Sequence, residues 1–262
     1  MTQKQLRPIA YTLLGILLIT LPFYGFTQSA GSQNSAELQA ILRSIDEFGT
    51  FQSADFTADY TIVSQVPGEE RSVFEARIFR RDREDKFLLI ISEPALRRGE
   101  GYLQVGDTGW SYDPESREFA VFQLRDNFQD TDARTSDFAG TRLEDNYRVT
   151  EFVEGQLGSF PVYILTLEGL NDRVATPTMK IWVRRDNYLI LKQEDYSLSG
   201  RLLRTALFPS YARAGGYFVP TRMLFIDNLN EGERTEVNVR NISFAPIPDN
   251  LFTRSYLERV SR

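Results

Sequence analysis

The 262-residue sequence contains no cysteine and no histidine. Without cysteine there is no disulfide framework and no lipobox residue through which a lipid anchor could be attached. Without histidine, the usual general base, the commonest zinc ligand and every Ser-His or Cys-His nucleophile pair are lost. Carboxylates remain as acid–base groups, clustered at Glu69-Glu70, Asp130-Thr131-Asp132 and Glu144-Asp145. Glycosidases work with two carboxylates alone, but each of these clusters lies among turn formers, charges or short polar residues, the setting of solvated loop acids. No Gly-rich phosphate loop is present, because Gly99-Glu100-Gly101 lacks a third glycine and a following helix and so reads as a turn into a strand. Asp126, Asp130 and Asp132 evoke a calcium loop, yet no glycine follows at the sixth position. A basic stripe is missing too: 30 Lys and Arg stand against 36 Asp and Glu, a formal charge of −6. That balance argues against nucleic acid and against electrostatic docking on anionic lipid.

What is there begins with a segment that reads as an export signal. Lys4 and Arg7 precede an apolar run from Ile9 to Phe26, interrupted by Pro22 and closed by small residues at Ser29 and Ala30. The run lies at the lower edge of what spans a bilayer core of ~30 Å, so residues 1–30 are expected either to be removed or to stay as an anchor. Removal would take away Lys4 and Arg7 and leave 28 basic against 36 acidic residues, a net of −8. Residues 31–262 contain no Pro/Ser/Gly-rich linker and no repeat of fixed period, which points to one domain and excludes a propeller.

Within that domain, Leu38, Ile41, Leu42, Ile45 and Phe48 recur at helical spacing, with Asn34 or Ser35 as candidate N-cap and Gly49 as terminator. From Phe51 the period changes to two. Phe56, Ala58, Tyr60 and Ile62 share one face, and Pro67-Gly68 turns the chain into Phe74, Ala76 and Ile78. Further alternating runs follow to Phe244, separated by turns such as Gly106-Asp107, Asp113-Pro114, Ser199-Gly200 and Gly215-Gly216. Short strands without long helices between them predict an antiparallel sheet. Local helix is expected only at the Phe138–Asn146 segment and at the end, around Tyr256, Leu257 and Val260.

The expected fold class is therefore mainly β with a few α-helices: about eleven antiparallel strands curled into one sheet, a shell over which a helix can act as a lid. A barrel of about eight strands is filled by its own side chains, so a larger curled sheet encloses room for a filler. The helix at Leu38–Phe48 and a bound apolar ligand are the two candidates. Lining candidates, chosen on the apolar or aromatic faces of their strands, are Phe56, Tyr60, Phe87, Leu89, Ile91, Leu103, Trp110, Tyr112 and Trp182. Lid candidates are Leu38, Ile41, Leu42, Ile45 and Phe138.

Four stretches carry a likeness to a known family. They are Glu93-Pro94 with Gly99-Glu-Gly101-Tyr102-Leu103; Trp110-Ser-Tyr112-Asp-Pro114; Ser136-Asp137-Phe138 with Leu143-Glu-Asp145; and Phe218-Val-Pro220-Thr-Arg222-Met223. With these, the chain resembles the outer-membrane lipoprotein-sorting proteins, the LolA/LolB-like periplasmic carriers. It departs from them at Ala139-Gly140-Thr141-Arg142, next to the expected lid. The resemblance implies an unclosed antiparallel β-barrel of about eleven strands with a helical lid, and a non-enzymatic periplasmic carrier without cofactor that holds acyl chains of lipoproteins or another lipid. Its implied partners are an inner-membrane lipid or lipoprotein transporter and an outer-membrane acceptor. The alternative is a sensor or an accessory binding module of a membrane lipid exporter. A membrane β-barrel is opposed by Asp59, Glu75, Arg77 and Lys192 inside strands that would need a lipid-facing apolar band.

Overall fold

The computed structural model describes residues 35–261 apart from 124, 141, 172 and 173. The leader segment at 1–30 and the candidate N-cap Asn34 lie outside the described residues. No described helix is long and apolar enough to cross a membrane.

Helix α1 (Ser35–Gly49) forms where the apolar period predicts it. Leu42 and Ile45 are buried and Leu38 and Ile41 half-buried, while Arg43 and Glu47 are exposed, so one stripe faces the sheet. Thirteen strands follow, against the eleven or so expected. Strands β1 (Phe56–Gln65), β2 (Ser72–Arg81), β3 (Lys86–Glu93), β4 (Gly101–Val105), β5 (Thr108–Asp113) and β6 (Glu118–Phe122) step from the middle of the sheet to one edge. A connection, residues 123–146, crosses to the opposite edge and includes a 3₁₀ turn at Thr135–Phe138 and the short helix α2 (Leu143–Asn146). Strands β7 (Tyr147–Leu157), β8 (Phe160–Gly169), β9 (Thr178–Arg184), β10 (Ile190–Tyr196), β11 (Leu202–Ala214), β12 (Tyr217–Asp227) and β13 (Arg234–Ser243) step back toward the middle. There β13 pairs antiparallel with β1, opposing Tyr60 to Val239 and Ile62 to Val237. The result is one unclosed antiparallel sheet with β6 and β7 as its edges.

Helix α3 (Arg254–Val260) closes the described chain. It packs on one face of the sheet, called outer here, while α1 and the 123–142 connection cover the inner face. Strand β3 shows why the alternation there is ambiguous. Phe87, Leu89 and Ile91 point inward to a core with Phe56, Tyr60 and Ile78, whereas Leu88 and Ile90 point outward to Leu257, Phe252 and Ile247. Both faces are dry, so both carry apolar residues.

The glycines of the Gly99-Glu-Gly101 stretch seat α3. A Cβ on Gly101 would lie 2.4 Å from Leu257 Cδ1, and one on Gly99, whose φ is +87°, would lie 2.9 Å from the Ser261 backbone. Only glycine permits that approach and that backbone. The seat is locked by Asp55, which accepts from Arg81 Nε and Nη2 at 3.0 Å each and from the Ile247 N–H at 2.6 Å. Arg81 also donates to Asp249 and to the Ile247 carbonyl. Burial pushes the Asp55 carboxyl up, but the Arg81, Ile247 and Arg83 donors outweigh it and hold it at about 2.

Candidate functional site

The inner face is filled in two ways. Over β1–β3 the connection acts as a plug: Phe128 and Phe138, 0% and 1% exposed, enter the core. Phe138 meets Tyr60 edge-on at 5.6 Å and Phe128 at 5.5 Å, and Phe128 meets Phe74 at 5.8 Å. Over β9–β12 the roof is α1, and a cavity of 340 Å³ opens beneath it. That volume lies near the lower end of ligand pockets, about 300–1,000 Å³.

The apolar wall of the cavity comes from Ile45 and Phe48 of α1, Met179 of β9, Phe208 and Tyr211 of β11, and Phe218, Val219 and Met223 of β12. Phe48 approaches Tyr188 at 6.2 Å and Phe218 at 6.4 Å, so three rings mark one rim. Burial raises the phenols of Tyr60 and Tyr147 to about 12, and pushes that of Tyr211 up as well. These side chains stay neutral at any physiological pH. The Phe218-Val-Pro220-Thr-Arg222-Met223 stretch is thus a cavity wall, a role that its alternation alone did not mark.

The polar part of the lining comes largely from the connection. At its base Arg204 of β11 forks onto Asp137, Nη1 at 2.6 Å and Nη2 at 3.0 Å, and donates Nε to Asp195 at 3.0 Å. Arg134 donates Nη1 to Asp195 at 2.9 Å and to Thr176 at 2.8 Å. Burial pushes the Arg204 guanidinium down, but Asp137 and Asp195 outweigh that and raise it; Arg134 is lowered by burial and by the nearby Arg204. Asp137 also accepts the Arg134 backbone N–H at 2.6 Å, as the third residue of the 3₁₀ turn reaching back to its N-cap. The Ser136-Asp137-Phe138 stretch therefore ties the plug to the sheet, ionically through Asp137 and apolarly through Phe138.

The roof is one assembly. Asp46 of α1 accepts the N–H groups of Leu143 and Glu144 at 2.9 and 2.8 Å, satisfying the first turn of α2. Arg43 forks onto Glu144, at 3.0 Å from Nε and 2.6 Å from Nη2, and Gln39 donates to the Glu144 carbonyl at 2.8 Å.

The lining candidates separate into three groups. Phe56 and Tyr60 line the cavity. Phe87, Leu89 and Ile91 share the inner core with them, beneath the plug and away from the cavity wall. Leu103, Trp110 and Tyr112 correct the expectation: they belong to the outer cluster around Leu257 and Phe252, because α3 makes a second dry face there. Trp182 also points outward, its ring 4.4 Å from Lys192 Nζ and 5.6 Å from Lys180 Nζ. Its β9 neighbours Ile181 and Val183 take the inner positions.

Among the lid candidates, Leu42 and Ile45 pack with Leu143, Leu165 and Ile181, with Ile41 alongside. Leu38 is half-buried and Phe138 is the plug itself. Of the acidic clusters, Glu69 and Glu70 lie exposed in a hairpin turn and Glu144 pairs with Arg43. Asp132 stands with Asp227 and Glu233, their oxygens within 4.8 Å, rather than with Asp126 and Asp130. Asp137 is the one carboxylate among the described cavity-lining residues.

A family model described only as "Uncharacterized protein" matches residues 83–259. A search of curated proteins gives no match. Among solved structures, the LolA superfamily protein NE2245 from Nitrosomonas europaea is similar, with a TM-score of 0.73 and 25% identity over 84% of this chain and 98% of that one. A domain described as an outer membrane lipoprotein-sorting protein from Vibrio parahaemolyticus superposes with a TM-score of 0.77 at 20% identity, covering 86% of this chain and all of that one. A DUF1329 family protein from Desulfovibrio piger gives 0.75 at 19% identity, covering 85% and 98%.

Proposed function

This chain belongs to the family of uncharacterized proteins whose model matches residues 83–259, and it has the LolA-superfamily fold; from that premise we propose that it is a non-enzymatic carrier that shelters acyl chains in the cavity under α1. The observation that carries the reading is the division of the inner face. One part is plugged and solid, while the other keeps room behind a roof attached through one helix and a few side-chain contacts.

The physics asks for that division. Each methylene of an acyl chain costs ~0.8 kcal/mol to expose to water, so a soluble carrier needs a dry surface. Release requires that the empty cavity be nearly as stable as the full one. The α1–α2 roof supports this, because swinging it away uncovers Leu42, Ile45 and Leu143 together with the surface of Leu165, Met179 and Ile181, and an entering chain covers that same apolar wall. The plug supplies the rigid partner against which the roof moves.

Periplasmic location, loading by an inner-membrane transporter and delivery to an outer-membrane acceptor complete the proposal. The export-signal reading of residues 1–30 and the lipoprotein-sorting description of the Vibrio parahaemolyticus domain favour them. The test is mass spectrometry of an organic extract of the protein purified without detergent from its native compartment. A stoichiometric acyl amphiphile is expected. Protein free of amphiphile that also takes up none from added vesicles would overturn the carrier reading.

A further inference from the structure

An acyl chain by itself does not account for the polar part of the lining. An apolar ligand needs only the apolar residues of α1 and β9–β12, yet the same lining presents Arg80, Arg125, Arg134, Arg142 and Arg204 with Asp137 as the one described carboxylate. The protein as a whole is acidic, at −6, so this concentration of guanidinium groups is local.

The five arginines divide by burial. Arg80, Arg134 and Arg204 are mostly buried and bound to Asp82, Asp195 and Asp137, where they hold the plug and the sheet together. Arg125 and Arg142 are the two solvent-exposed arginines of the lining. Arg142 pairs with Asp85, and their side chains are 51% and 37% exposed. An ion pair so open to water is weak, and an incoming anion competes with it on even terms. Phe48, 36% exposed, belongs to the same lining. The solvent-exposed part of the lining therefore combines cationic and apolar groups, and guanidinium forks match carboxylate and phosphate oxygens.

We propose that the ligand is an amphiphile with an acidic head, a carboxylate or phosphate attached to an acyl chain, whose head is met by Arg125 and Arg142 while its chain lies along the Phe48 and Phe218 wall. This inference rests on the carrier reading and specifies the ligand class. Because the protein's overall charge repels anions, selection acts at contact range rather than by long-range steering.

The experiment is calorimetric titration of the full chain with lysophosphatidylglycerol and lysophosphatidylcholine of identical acyl chain, with glycerol 3-phosphate as a head group lacking the chain. The anionic lipid is expected to bind roughly tenfold more tightly than the zwitterionic one, the scale of two solvent-exposed charge contacts. The double variant Arg125→Gln/Arg142→Gln should lose that preference while keeping its affinity for the zwitterion. Arg125→Lys/Arg142→Lys should retain part of it, which separates lost charge from a damaged fold. Equal affinities in the wild type would overturn the head-group assignment and leave the carrier reading standing. Glycerol 3-phosphate binding as tightly as the lipid would also overturn it, in favour of a free-anion site. Failure of both lipids to bind would remove the carrier reading and this inference together.

Discussion

The plugged and roofed regions of the inner face are made of the same material, alternating strands with apolar residues at every second position, and yet they serve opposite ends. Over β1–β3 the filler arrives on the connection, enters as Phe128 and Phe138, and is tied down by the buried Arg204–Asp137–Asp195 network. Over β9–β12 the filler is a helix, held through Asp46, Arg43 and two buried apolar residues, with space left beneath it. A sheet of this size cannot fill its interior with its own side chains. The difference teaches that its function depends on what fills it and how firmly.

The comparison can be tested by attacking each region. The largest effect is expected at Asp137→Ala, which leaves the buried Arg204 and Arg134 sharing Asp195. Breaking such a network costs about 3–5 kcal/mol, read from urea unfolding; a loss below about 1 kcal/mol would mean that the plug is not held ionically. Phe138→Ala should cost a similar amount, about 3–5 kcal/mol, because its ring is buried among aromatic neighbours. Phe48→Ala, on the half-exposed rim, should stay within about 1 kcal/mol while weakening amphiphile binding. Equal costs for the two phenylalanines would erase the distinction between plug and roof.

Acid tests the region where α3 is seated. Asp55 is held at about 2 in the folded protein, below the ordinary carboxyl value. The folded state therefore binds fewer protons than the unfolded one between roughly pH 4 and pH 2, and Asp55 contributes stability above that window which is lost as pH falls through it. The loss should amount to about 2 kcal/mol, at ~1.4 kcal/mol per pH unit of displacement. Asp55→Asn, measured by unfolding midpoints across the window, should remove that part of the acid dependence. A smaller effect than at Asp55 is expected at Asp46→Ala, which uncaps α2 at a cost of about 1 kcal/mol. Hydrogen exchange should then rise in α1 and α2 and remain unchanged in β1–β3; a rise spread evenly over the sheet would contradict an independently movable roof.

Much of this arrangement was legible before any coordinates. The spacing of Leu38, Ile41, Leu42 and Ile45 marks α1, and the alternation at Phe56, Ala58, Tyr60 and Ile62 marks β1 and the set of residues that share its apolar face. The side taken by Leu103, Trp110 and Tyr112 was not legible, because a period of two defines two faces without saying which is inner. A sign was present in the apolar C-terminal stretch at Leu251, Phe252 and Leu257, which needed an apolar seat, and in the glycines at 99 and 101 that leave room for it. The polar network had a fainter sign: Asp195 and Arg204 are charges inside strands, at 1% and 6% exposure. A buried charge requires a partner, and neither strand reveals that the partner would come from residues 134–137.

By itself the sequence determined the exclusion of cysteine and histidine chemistry, one amphipathic helix, and the succession of antiparallel strands with their turns, since these depend on composition and on contacts between near neighbours. The tertiary structure alone decided which face is roofed, plugged or covered by α3, and where the arginines of the connection meet the wall of β10–β12. Those outcomes join residues as far apart as Asp137 and Arg204 or Asp55 and Ile247, and the local periodicity that shapes a strand carries no information about what will be laid across it.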